Sequence, residues 1–153
     1  MPELLILGGQ FNGIIVHLNH RDVTMVAVSK APFDKLGAYK GMGWTFKWVS
    51  SLGSDFNRDY QISFTPEEMQ KGEMYYNYTT TKFPVEEAPG ISVFYRDEQG
   101  GIFHTYSCDA RGLDMLNGAY HYLDLVPKGR DEDKLSYSME WLRRHDKYED
   151  VER

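Results

Sequence analysis

Four groups of residues in this 153-residue chain have types and spacings that could do chemistry: Cys108, the pair His17 and His20, the double glycine Gly8-Gly9, and a polar set near residue 110. Cys108 is the only cysteine, so no intramolecular disulfide and no multi-thiolate zinc site can form. As a catalytic residue it would be a one-cysteine redox centre, with Arg111 nearby in sequence to favour the thiolate. Against that, it follows a predicted strand instead of sitting where a sheet meets a helix, and His104 would stand about 13 Å away along the strand. A structural thiol is the plainer reading.

His17 and His20 fall at i, i+3 on a helix pattern, close enough to share a cation. The remaining donors would have to come from His104, His121 or Asp22, and spacing alone does not bring these together, so we assign no metal and no other cofactor. The run "LLILGGQFNGI" could place Gly8 and Gly9 in a phosphate-holding turn ahead of a helix. Its pattern is Gly-Gly-x-x-x-Gly, and no Walker lysine follows, which leaves a simple tight turn as the preferred reading. Tyr106, Arg111, Asp114, His121 and Asp124 combine residue types used for anion recognition. Ion pairs fixing a hairpin to the last helix account for the same residues.

Composition narrows the function classes. The length is that of one ordinary domain, so a single domain over residues 1–153 is expected. A net charge of -6, with no clustered lysine and arginine, speaks against nucleic acid or an acidic membrane as partner. Leu4 to Leu7 is too short to span a bilayer, and no basic residue precedes it as in a secretory signal, so a cytoplasmic location is expected. Eleven Tyr, eight Phe and three Trp predict a dense core and a sticky surface patch.

The elements that must position these residues follow from periodicity. Phe11, Ile14, Ile15 and Leu18 mark one face of a helix. Val23 to Val28 reads as a strand buried on both faces. Pro32 opens a second helix, "FDKLGAYKG", and "TFKWVSS" is a further strand. "SDFNRDYQ" is a short helix capped by Ser54 or Asp55, and Thr65-Pro66-Glu67-Glu68 is a capping box. Gly72 to Pro89 reads as irregular loop. Two β-rich runs then flank Asp97 to Gly101 as a hairpin. Leu113, Leu116, Tyr120 and Leu123 mark a terminal helix, and "MEWLRRHDKY" a short one packed back by Trp141 and Leu142.

A βαβ unit followed by ββα is the order of a thioredoxin-like α/β fold, with a mixed central sheet flanked by helices. Such folds place a cis-proline just before the hairpin, beside the active site, and Ala88-Pro89 stands there. Pro89 therefore joins Tyr106, Arg111 and His121 as a candidate binding residue.

The segments "FNGIIVHLNHRDVTMVAVSKAP", "YKGMGWTFKWVSSLGSDFNRDY", "APGISVFYRDEQGGIFHTYSCDARGLDMLNGAYHYLDLVPKGRDE" and "WLRRHDKY" resemble the bacterial thioredoxin-like family called domain of unknown function 899. The resemblance runs from about Phe11 to Tyr148. It implies a thioredoxin-like fold and no established substrate or reaction. Members resembling this chain commonly carry Cys-Pro-x-Cys about nine residues ahead of Phe-Asn-Gly. Here Met1, Pro2, Glu3 and Leu4 stand at that spacing. Dithiol exchange needs an attacking thiolate and a resolving thiol, and these residues supply neither.

Residues 2–9 admit two conformations. A helix would align Leu4, Leu7, Phe11, Ile14 and Leu18 at the cost of Gly8, Gly9 and Gly13, about 1 kcal/mol each. A strand over Leu4 to Leu7, with Gly8-Gly9 as the turn, suits a central parallel strand and is preferred. A chain without that strand leaves neighbouring strand edges unpaired. Under either conformation the aromatic excess, which implies exposed apolar surface, predicts a homodimer. The expected function is that of a non-redox binding or interaction protein with an unknown small-molecule or protein partner. The alternatives are a thiol enzyme using Cys108 or a shortened form of a dithiol oxidoreductase.

Overall fold

In a computed structural model, residues 2–40, 43–143 and 147–148 are described. They mix helices with small two-stranded sheets and divide into two compact units, residues 1–50 with 115–153, and residues 51–114.

The first unit opens with helix α1 (Pro2–Asn19), so the preferred strand at Leu4 to Leu7 gives way to helix. The glycines do not prevent it, because tertiary contacts need them or hold the helix around them. Gly8 is buried against the Trp44 indole. Gln10 donates to Asn117 Oδ1 at 3.0 Å and accepts from Gly118 N at 2.6 Å, while Asn12 bonds Gly43 O and the Thr45 backbone N–H. These bonds tie the polar side chains of α1 to the segments around Gly43 and Asn117.

Strand β1 (Val26–Ser29), helix α2 (Phe33–Lys40) and strand β2 (Lys47–Ser50) form a βαβ unit with parallel strands. Two corrections apply to β1: it begins at Val26, not Val23, and Val26 and Val28 are partly exposed instead of buried on both faces. Among the described residues its sheet has two strands, and the alternating exposure along β1 is that of a strand covered on one face. Trp48 donates to Ser29 Oγ at 3.2 Å and stacks on Trp44, which in turn stacks on Phe46. Helix α5 (Gly118–Leu123) supplies Tyr120, among the most buried side chains.

The polar stretch after α5 is anchored at Glu132. One carboxylate oxygen, Oε1, accepts from the Tyr120 hydroxyl at 2.5 Å, Trp141 Nε1 at 2.8 Å and Met139 N at 2.9 Å. Leu142 is fully buried, as a packed-back segment requires, but residues 138–141 form a turn and 142–143 are irregular, in place of the expected helix. Positions 144–146 of that helix lie outside the described residues.

The second unit holds α3 (Phe56–Asp59), α4 (Pro66–Lys71) and two antiparallel hairpins. The capping box forms as expected, with Thr65 and Glu68 bonded reciprocally, Pro66 in the first turn and Gly72 closing the helix at φ 70°. Asp55 stands at the N-cap of α3 without a side-chain cap bond. The expected loop after Gly72 contains β3 (Met74–Tyr76) and β4 (Thr79–Thr81). Asn77 and Tyr78 join them at φ 51° and 61°, the left-handed pair of a tight hairpin turn. Met74 and Tyr76 build the core here with Phe64 and Ala88.

Strands β5 (Gly90–Arg96) and β6 (Ile102–Asp109) form the expected hairpin. Val93 faces Tyr106 and the next residue, Phe94, faces His104, so Thr105 is an extra, bulged residue, its hydroxyl bonded to Val93 O at 3.2 Å. A 3-10 segment, Ala110–Leu116, follows. Among the described residues no peptide bond is cis, so Ala88-Pro89 is trans, against the expectation. The segment before β5 is held extended by Phe64 N to Glu86 O and Ala88 N to Ile62 O bonds, which a trans chain satisfies.

Candidate functional site

Register decides which side chains of the hairpin act together. Residues directly opposite share a face, and so do residues two apart on an unbulged strand. Ile91 faces Cys108, Val93 faces Tyr106 and Tyr95 faces Phe103, which places these six on one face. Ser92 with Ser107, Phe94 with His104 and Arg96 with Ile102 occupy the other. Tyr60 packs edge-on against both Phe94 and His104 on that second face, with centroids 5.4 and 5.3 Å away.

Cys108 sits at the base of the first face and is 8% exposed. Its Sγ donates to Gly112 O at 3.6 Å, a weak contact that turns the thiol toward backbone. Tyr106 lies two residues further out on the same face and is half exposed. The neighbouring Cys108 pushes the Tyr106 phenol up, with smaller contributions from burial and Tyr78.

Pro89 is gathered to the same base. The Tyr76 hydroxyl donates to Pro89 O at 2.7 Å and accepts from Ala110 N at 2.9 Å, tying the start of β5 to the end of β6. Burial pushes the Tyr76 phenol up to about 12, with Asp109 and Cys108 adding to the shift against the Ala110 N–H. Asp109 is raised by burial and lies over Gly90, where a Cβ would stand 2.5 Å from its Oδ1. The Tyr78 hydroxyl meets Ser107 Oγ at 2.7 Å.

Of the expected site residues, Pro89, Tyr106, Cys108 and Arg111 thus belong to the second unit, Arg111 as an exposed residue of the 3-10 segment. His121 belongs to the first unit, on α5, and is exposed. Pro2, Glu3 and Leu4 form the first turn of α1, and Met1 lies outside the described residues. Asp124 pairs with Arg130 at 2.6 Å. His17 is exposed, and His20 lines an open hollow of about 460 Å³ beside α1. Among the described residues no three His, Cys, Asp or Glu side chains cluster closely enough to hold a metal ion.

Sequence reasoning missed Tyr76, Tyr78 and Asp109. The Asn77 turn signal and the glycine after Pro89 were the traces available. The arrangement offers a turned-in thiol under an open, mostly apolar face.

Among the described residues no helix is long and apolar enough to cross a membrane. No curated protein and no solved structure matches the chain. A family described as bacterial protein of unknown function, DUF899, matches residues 6–148, nearly the whole chain. The chain belongs to that family.

Proposed function

We propose that this is a cytoplasmic, thioredoxin-like protein that works by binding a partner and not by thiol chemistry. The observation that carries this reading is the pairing of a buried thiol with an open apolar face on one hairpin: Cys108 is turned toward Gly112 O, while Val93, Tyr95, Phe103 and Tyr106 above it are exposed. A thiol so placed is poorly accessible to a substrate disulfide, and the chain offers no second thiol to resolve a mixed one. Support for the fold reading comes from its halves: β1, α2 and β2 make a parallel βαβ unit, and β5 and β6 an antiparallel pair followed by helical segments.

The test is a disulfide-reduction assay on the full chain, paired with thiol titration by an aromatic disulfide reagent before and after unfolding. The expected outcome is no turnover above the Cys108→Ser variant, and a thiol that reacts at least about tenfold faster once unfolded. Turnover that depends on Cys108 would overturn the reading.

A further inference from the structure

The hairpin face identified above combines exposed apolar area with an absence of charge. Val93, Tyr95, Phe103 and Tyr106 are 42, 58, 53 and 49% exposed. Large side chains of this kind cover ~150–250 Å² each, so the four leave about 400 Å² open in one stripe. A standard interface takes roughly 600–1,000 Å² from each partner. About 60% of that area is apolar, so the stripe supplies the apolar share of an interface at the lower end of the range.

The face is uncharged: the charged residues of the two strands, Arg96 and Asp109, fall on the opposite face. A basic or acidic partner would find no charged side chain of these strands on this face to pair with, whereas two chains of net charge -6 can meet here without setting like charges of the strands opposite each other.

We propose that a second copy of this chain docks on this face. The two hairpins stack face to face about a two-fold axis, so that Tyr95 and Phe103 of each copy interdigitate with those of the other. The same stripe serves both sides, as an isologous interface requires. The bulge at Thr105 makes this geometry available, because it brings Phe103 and Tyr106, three residues apart, onto one face. The proposal rests on the binding role inferred above and names the partner of that same surface.

Sedimentation velocity on the full chain at micromolar concentration tests it. The wild type is expected to sediment as a dimer. Tyr95→Lys and Phe103→Lys, each at a side chain more than half exposed, are expected to raise the dissociation constant at least about 100-fold by setting like charges together. Far-ultraviolet circular dichroism checks that both variants remain folded, and Tyr122→Lys, at an exposed position in the other unit, is the control expected to stay dimeric. A monomeric wild type, dimers persisting in both folded hairpin variants, or a control that dissociates as they do would overturn the proposal. Cys108-dependent disulfide turnover would instead sink the binding role itself and leave the sedimentation result standing.

Discussion

Gly8 lies beneath the indole of Trp44, so close that a Cβ added there would stand 2.9 Å from Trp44 Cη2. The ring cannot easily yield, because it is buried and stacked on Phe46 and Trp48. Gly8→Ala is therefore expected to destabilise the chain by about 1–2 kcal/mol, overpacking outweighing the better helix propensity of alanine. Gly13, on the same helix, has nothing within 4 Å of its added Cβ. Gly13→Ala should stabilise by about 0.5–1 kcal/mol. Urea denaturation of the two variants checks the opposite signs.

Glu132 joins Tyr120, Trp141 and Met139 through one carboxylate oxygen. Burial opposes its ionisation, yet the donors from Tyr120, Trp141 and Met139, with Arg130 nearby, outweigh burial and leave its pKa lowered. A carboxylate depressed in the folded state adds stability above its unfolded value of about 4.3 and loses it as pH falls. Glu132→Ala should cost about 1–3 kcal/mol at neutral pH by stranding the buried Tyr120 hydroxyl and the half-buried Trp141 and Met139 donors. Urea midpoints at pH 7 and at about pH 3 should show that penalty shrinking in acid.

Arg58 donates two hydrogen bonds to Glu68, at 2.6 and 2.8 Å. Those bonds, with the Thr65 backbone bond next in importance, hold the Glu68 carboxyl at about 2. Its contribution is complete above the unfolded value of about 4.3 and fades as pH falls toward 2. Carboxyl titration by nuclear magnetic resonance should find that low midpoint. In Arg58→Met the Glu68 midpoint should rise toward the ordinary glutamate range.

The Tyr76 hydroxyl is both donor to Pro89 O and acceptor from Ala110 N. Tyr76→Phe strands both and should cost about 1–3 kcal/mol. Because the phenol is raised to about 12 in the folded chain, its contribution is intact below the unfolded value of about 10 and is lost as pH rises toward 12. Ala110 sits at φ 48°, so Ala110→Gly should stabilise by about 0.5–1 kcal/mol. Thermal melts of the two variants should move in opposite directions.

Local chemistry was legible wherever a few adjacent residues settle the outcome. The box at Thr65 and Glu68 and the turn at Asp97 to Gly101 need only their neighbours, and Gly101 N indeed bonds Asp97 Oδ1 at 2.6 Å. Conformation set by distant partners was not legible. Propensity counts three glycines against α1, but Trp44 and Asn117 decide it. Glu132 reads as one acid in a charged stretch, because nothing in its neighbours announces Tyr120 above it. The candidate site was half readable: residue types singled out Cys108 and Tyr106, and the expected fold singled out Pro89, while the burial of the thiol and the tie through Tyr76 came from packing.

Thr105 divides β6 into two dialects of the same alternation. Toward the turn, the even-numbered Ile102 and His104 share the side taken by Phe94, whereas beyond Thr105 the even-numbered Tyr106 and Cys108 share the side taken by Val93. His104 and Cys108 are therefore parted by the sheet itself as well as by length. Drawing Thr105 into the ladder as an ordinary paired residue would restore a single parity along the strand and sort the tyrosine and the phenylalanine onto opposite sides, taking the continuous stripe apart without altering any side chain that composes it.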